Sequence, residues 1–205
     1  MALTLLLLVV YFGWRGLGSP AFWWFWIAVG ITIDHQVFTW LCWRLELRES
    51  LVSKTLGFKI YLGLFLTLFF GRFVTLFALG WVDRGSLGLE KGLLVFMTTL
   101  LLVPGLYAMY SVMRYFGFPR ASGADHFDSK YREMPLVQKG IFRFTNNAMY
   151  WWAFMLFWAI AIGLNSSAAL LVAGYSHLYI WVHYHATEKP DMEYLYGGPE
   201  RKEKS

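Results

Sequence analysis

Cysteine is almost missing from this sequence: Cys42 stands alone. A single thiol excludes an intrachain disulfide framework and a cysteine-based zinc site. Charge is scarce too. Asp, Glu, Lys and Arg make up only 15% of the 205 residues, against roughly 25% in an ordinary soluble domain. No low-complexity segment or internal repeat is present, so a disordered tail or a solenoid is not the organising principle. Residues 2–14 have the length of a signal-peptide core, yet they lack a basic start and a clear small-residue cleavage site. They read as a retained helix.

Apolar surface, by contrast, is abundant. The chain is 58% hydrophobic and 20% aromatic, and several runs approach the roughly 20 residues that cross a ~30 Å hydrocarbon layer. Breaks divide these runs into 2–14, 22–43, 57–82, 92–113, 147–163 and 168–185, with a kink expected at Pro104-Gly105. The expected fold is all-α: a polytopic transmembrane helical bundle of about six spans, five if the first is short or re-entrant. The joint Leu164-Asn165-Ser166-Ser167 is short enough to make the last two a C-terminal helical hairpin. Residues 1–113 form an N-terminal scaffold on the lipid side, and 114–205 hold the cytoplasmic loop, hairpin and C-terminal polar motif.

Positive charge sets the expected orientation. Four basic residues (Arg44, Arg48, Lys54, Lys59) follow the second span. Six (Arg114, Arg120, Lys130, Arg132, Lys139, Arg143) separate the fourth from the fifth, and four (Lys189, Arg201, Lys202, Lys204) lie in the tail. Arg15, Arg84 and Lys91 fall on the opposite side. Both termini are therefore expected in the cytoplasm, in a bacterial inner membrane or the endoplasmic reticulum. The net charge of +5 suits anionic headgroups and gives no reason to invoke nucleic acid. The sequence leaves a homodimer open.

Three polar segments are candidates for chemistry. In the loop after the fourth span, Asp125-His126 sets a carboxylate beside an imidazole, an arrangement that tunes a proton acceptor near neutral pH. The same loop can equally cap its helix and touch headgroups through Arg114 and Arg120. Thr145, Asn146 and Asn147 are N-cap residue types ahead of the fifth span, and free N–H groups there suit a carboxylate or phosphate. Tyr150, Trp151 and Trp152 can as well be an interfacial aromatic belt. At the end of the last span, His185 and Tyr184 lie three and four residues from Glu188 and share a helix face with it. The alternative there is an amphipathic helix exit. Inside the membrane, Asp34 and Arg72 are expected to face the bundle interior as an ion pair. His183 and His185 diverge on a helix, so no metal site is expected.

The last third, about 114–197, resembles the membrane methyltransferases that include phospholipid N-methyltransferases and isoprenylcysteine carboxyl methyltransferases. Lys139-Gly140-Ile141-Phe142-Arg143 resembles their leading stretch. Asn146-Asn147-Ala148-Met149-Tyr150-Trp151 is similar to the phosphatidylethanolamine methyltransferase form, with Ala148 where proline is usual. Glu188-Lys189-Pro190, with Tyr196 downstream, resembles that group's glutamate motif. The resemblance implies S-adenosylmethionine as cofactor and a bilayer phospholipid as substrate. By the same resemblance Gly140, Asn147, Tyr150, Glu188 and Lys189 hold the cofactor. Asp125, His126, His185 and Glu188 are the catalytic candidates, and Arg114, Arg120, Arg143 and Trp181 contact the lipid. A carboxyl or thiol methyltransferase of the same superfamily and a non-enzymatic lipid-binding protein are the alternatives.

Overall fold

The computed structural model describes residues 1–145 and 147–197. Asn146 and the tail cations Arg201, Lys202 and Lys204 lie outside the described residues. Among those described there is no strand. Helices α1 (Ala2–Gly16), α2 (Phe22–Glu49), α3 (Leu51–Thr55), α4 (Gly57–Val82) and α5 (Lys91–Ser111) lead into the one-turn helix α6 (Phe118–Ala121). A largely irregular stretch, with short single turns, precedes α7 (Met155–Gly163), α8 (Ser167–His183) and α9 (Lys189–Tyr196).

Three helices are long and apolar enough to cross a membrane: Phe22–Glu49, Gly57–Val82 and the 91–116 helix that continues α5. The other three apolar helices, α1, α8 and the 149–163 helix that contains α7, are shorter than a straight crossing requires. Helix α2 outruns its expected end by six residues, to Glu49. At 1.5 Å per residue it is about 42 Å long. Its last two turns therefore stand clear of a ~30 Å layer and carry Trp43, Arg44 and Glu46 beyond it. Glu46 takes bonds from both Ser53 N–H and Ser53 O–H, at 2.8 and 2.6 Å, which fixes α3 as a bend between α2 and α4.

The short helices earn their places by packing. Val10 and Trp14 of α1 are buried in one cluster with Phe25 and Val29 of α2, Leu76 and Leu79 of α4, and Ala169, Val172 and Ala173 of α8. Gly13 lets α1 approach α8, since a Cβ there would meet Leu171 at 3.0 Å. Helix α1 packs chiefly on α8, and Trp14 also meets Phe22, Phe25 and Trp26 of α2. Pro104 stays within a continuous α5, and the adjacent Gly105 receives Leu156 of α7 so closely that a Cβ would lie 2.8 Å from it.

The hairpin joint is held from outside. Asn165 adopts φ 55°, a left-handed conformation that asparagine tolerates, and its side chain exchanges bonds with both the N–H and the carbonyl of Leu89. Asp83, just past α4, accepts from Ser86 Oγ (2.7 Å), Ser166 Oγ (2.6 Å) and the Ala168 N–H (2.9 Å). A carboxylate at the first turn of α8 satisfies donors that a helix start leaves open and complements its dipole. Asp83→Ala removes all three bonds and is expected to lower stability by about 1–3 kcal/mol. Thermal unfolding in detergent tests this; an unchanged midpoint contradicts it.

Candidate functional site

Three widened, π-helical turns flank the same space. They lie at Val112–Phe116, Met149–Ala153 and Tyr184–Glu188. Each inserts one residue into a helix and so re-aims the side chains beyond it. Between them is a cavity of about 1000 Å³, the upper end of ordinary small-molecule pockets. Its wall runs from His35 and Arg72 among the long helices to Glu188 and Tyr196 at the C-terminal segment.

Four remote segments meet at the Glu188 end. His126 Nδ1 is 3.0 Å from Asp125 Oδ1, and its Nε2 is 3.3 Å from Asp191 Oδ2. Asp191 is paired through its other oxygen with Arg44 of α2. Asp125 Oδ2 accepts a 2.8 Å bond from the Tyr196 hydroxyl. Arg132 donates to the Asp125 carbonyl at 2.6 Å, and Arg44 reaches the Thr187 carbonyl at 3.3 Å. The His126 ring stacks on Trp43 at 4.1 Å and 21°. Gly123, at φ 81°, makes that stack possible, because any Cβ would collide with the indole.

The local electrostatics follow from these contacts. Burial alone disfavours the charged imidazole of His126, but hydrogen bonds and attraction from Asp125 and Asp191 outweigh it and raise its pKa. Burial likewise works against ionised Asp125; the His126 and Tyr196 bonds reverse the sign and hold it below the usual carboxylate value. Two carboxylates and two cations therefore form a compact neutral group. Glu188 is different. Burial, with the neighbouring Asp125 and Asp191 carboxylates, raises its pKa to about 7, and His126 offsets this in part. Among the described residues no hydrogen bond reaches its carboxyl group.

The expected site residues separate clearly in space. Arg120, Asp125, His126, Asn147, Tyr150, Glu188 and Lys189 border the cavity. The expectation that Asp125 or His126 serves as a free proton acceptor needs correction: both imidazole nitrogens and both Asp125 oxygens already have partners. His185 is exposed and off the cavity wall, whereas His183, the last residue of α8, and Glu188, the last of the widened turn, border it. Gly140 lies against Ser111 and Tyr115, at φ 61° with no room for a Cβ, and so docks 139–143 onto α5 without bordering the cavity. Arg114 and Arg143 are exposed; Arg120 is spent on the Pro135 carbonyl at 3.0 Å and the face of Phe116. Trp181 packs edge-on against Tyr150 at 5.7 Å behind the wall.

Inside the bundle the expected Asp34–Arg72 pair does not form. Asp34 is exposed, and Arg72 meets His35 Nδ1 at 3.4 Å while lying over Phe154 and Phe157. Adjacent helix residues point about 100° apart, so when His35 faces inward Asp34 cannot. Sequence reading also passed over Asp191, Arg44, Trp43 and His183. The first two pair across 147 positions, and no local pattern signals that.

An all-helical protein with three helices long and apolar enough to cross a membrane, and a large cavity bordered by a carboxyl group without a hydrogen-bond partner among the described residues, is the class these features define. The phospholipid methyltransferase family profile matches residues 93–198, just over half of the 205, and the chain belongs to that family. The match covers α5 onward, with Asp125, His126, Glu188 and Asp191; α2 and α4 lie before it. No curated protein and no solved structure matches the chain.

The Asp125–His126–Asp191–Arg44 group fastens the C-terminal segment to α2. His126 contributes stability that is complete below its ordinary value of 6.5 and is lost as pH rises through its raised one. Asp125 contributes above its ordinary 3.8, and loses this as pH falls through its lowered value. Protection factors of α9 amides are therefore expected to peak between about pH 4 and pH 6.5. Asp191→Ala strands the His126 and Arg44 charges, a change of about 3 kcal/mol for a buried pair, and should erase that protection. Protection equal to wild type would contradict the fastening role.

Proposed function

We propose that this protein transfers a methyl group from S-adenosylmethionine to the amine of a membrane phospholipid headgroup, phosphatidylethanolamine or its mono- and dimethyl forms. The carrying observation is the Glu188 carboxyl group: it is half-buried, bordered by a cavity large enough for two ligands, and unpaired within the described residues. Its family membership supports methyl transfer to a phospholipid. On this reading the chain is multi-pass, with both termini on the cytoplasmic side where a soluble cofactor has access.

The residues present suit the cofactor. A carboxyl group that is poised near pH 7 and free of internal donors is matched to an ammonium, and Glu188 would hold that of S-adenosylmethionine. Asn147, at the start of the 147–163 segment, offers polar contact beside it, with Tyr150 as a wall. When bound, the cofactor supplies an electrophilic methyl on a sulfonium. The headgroup nitrogen must present its lone pair in line, so an ethanolamine ammonium must first release a proton. His183 is placed for this: its ring borders the cavity, is buried, and leans on Trp43 with no hydrogen-bond partner among the described residues. His183, which burial keeps neutral, would accept the hydrogen bond and then the proton of that ammonium, and the bound cofactor would supply the methyl group. Water exclusion and alignment by Tyr150, Phe154 and Trp43 supply the remainder.

Incubating purified protein with labelled S-adenosylmethionine and phosphatidylethanolamine, its partly methylated forms and a prenylcysteine tests the reading. Label in a phospholipid is expected; label only in the prenylcysteine, or none, overturns it. Glu188→Gln should weaken cofactor binding about 10–100-fold, the worth of a hydrogen bond to a charged group, whereas His183→Gln should lower kcat and leave cofactor affinity intact. Because Glu188 must ionise to pair, cofactor affinity should rise with pH through about 7, and the Gln variant should flatten that rise. In the ligand-free protein the sign is opposite: the raised pKa favours folding at low pH and is lost as pH rises through about 7. Cofactor-induced gain in melting temperature should therefore be larger at pH 8 than at pH 6.

A further inference from the structure

Arg72, His35 and Gln36 have no role in the foregoing chemistry, and their unpartnered polar atoms are all nitrogens. Arg72 lies near the middle of α4, is 3% exposed and borders the cavity. A guanidinium in a membrane segment demands compensation. One nitrogen, Nη1, meets His35 Nδ1 at 3.4 Å; Nε and Nη2 have no partner. Arginine only donates, so Nδ1 of His35 must accept, and the ring proton belongs on Nε2. His35 Nε2 is also buried and unpartnered, as is Gln36 Nε2 one position on. Those residues are 5% and 3% exposed, and both border the same cavity.

Four unpartnered nitrogens on three buried side chains thus gather behind one stretch of the cavity wall, where the Gln36 amide oxygen is the acceptor among them. The rings of Phe154 and Phe157, 5.3 and 4.9 Å from the guanidinium carbon, soften the isolated charge but accept no conventional hydrogen bond. An arginine fork with two open N–H groups fits a tetrahedral or planar oxyanion bidentately. Depth selects among oxyanions. Arg72 is 15 residues into α4, and His35 lies nine residues before Arg44 on α2, about 14 Å along the helix from the fastening group. Phe65, Leu66, Phe69 and Phe73 border the cavity alongside them. A water-soluble anion meets an apolar barrier there; an anion joined to hydrocarbon chains does not.

We propose that Arg72, His35 and Gln36 form the binding site for the phosphate of the membrane phospholipid, with its chains along the phenylalanine wall. The proposal rests on the phospholipid reading above, and it replaces Arg114, Arg120 and Arg143 as phosphate contacts.

Binding to the full chain in detergent is followed by its tryptophan fluorescence, to which Trp43 on the cavity wall contributes among eleven tryptophans. Titrants are phosphatidylethanolamine, diacylglycerol with the same chains, inorganic phosphate and S-adenosylmethionine. The wild-type protein should bind phosphatidylethanolamine at least tenfold more tightly than diacylglycerol, with inorganic phosphate far weaker. Arg72→Gln should abolish that preference and leave cofactor affinity unchanged. Should Arg72→Gln not fold, Arg72→Lys and Gln36→Leu keep the charge, and each should reduce the preference at least threefold. Equal binding of diacylglycerol, or a preference that survives these changes, overturns the site. Loss of cofactor affinity in the Arg72 variants would assign the donors to the cofactor carboxylate, and phosphate as tight as the lipid would assign them to a free anion; either overturns it. Binding needs no methyl transfer, so intact lipid discrimination without product sinks the proposed activity alone.

Discussion

His126 held between two carboxylates is the contact through which the C-terminal segment acquires its shape. The ring joins Asp125 in the irregular stretch to Asp191 on α9, and Asp191 passes the connection to Arg44 on α2. None of these groups would be stable alone at such burial, since an isolated charge in a low-dielectric site is strongly disfavoured. Together, two negative and two positive groups cancel. Stacking on Trp43 and the bond from the Trp43 indole to Tyr61, 2.8 Å long, extend the same contact to α4. That pairing has a chemical consequence: it occupies Asp125 and Asp191 and leaves Glu188 as the half-buried carboxyl group on the wall, beside the exposed Glu133 and Glu193.

The length of α2 makes this possible. A helix ending at residue 43 would stop with Trp43 at its edge and Arg44 on a loop. Extension to Glu49 puts Arg44 on a rigid turn beside α9 instead. The short apolar helices α1, α7 and α8 complete the enclosure. They cannot each match a full hydrocarbon thickness, so the α7–α8 hairpin ends within reach of α9 through the widened turn at Tyr184–Glu188. Residues of all three widened turns border the cavity, where their altered backbone is enclosed by protein.

Much of this was legible in the sequence. Apolar runs marked α4 to the residue, and Asn165-Ser166 marked the hairpin joint because asparagine and serine satisfy turn and cap geometry locally. Asp125-His126 and Glu188 drew attention as polar groups near a hydrophobic edge, and both border the cavity. Their division of labour was not readable. It depends on Asp191 and Tyr196, which reach back 65 and 71 positions to the loop, and such pairings leave no periodic trace. A regular-helix projection groups His185 with Glu188, but the widened turn at Tyr184–Glu188 breaks that projection and leaves His185 exposed. Asp34 and Arg72 matched in depth, but depth ignores rotation about the helix axis.

The two ends of the cavity therefore differ in sign. At one end, donors of Arg72, His35 and Gln36 stand without acceptors; at the other, Glu188 stands without donors. Between them the wall is mainly aromatic and aliphatic, so little solvent screening separates the two. A field of that form orients any ligand that carries an anion and a cation on one short framework. It also makes the two ends interdependent: filling the donor end with an anion lowers the local potential along the cavity and favours a cation nearer Glu188. On the proposed reading, a zwitterionic headgroup and a cationic cofactor would be drawn toward one another by this charge arrangement, with the fastened His126 group keeping Asp125 and Asp191 out of competition.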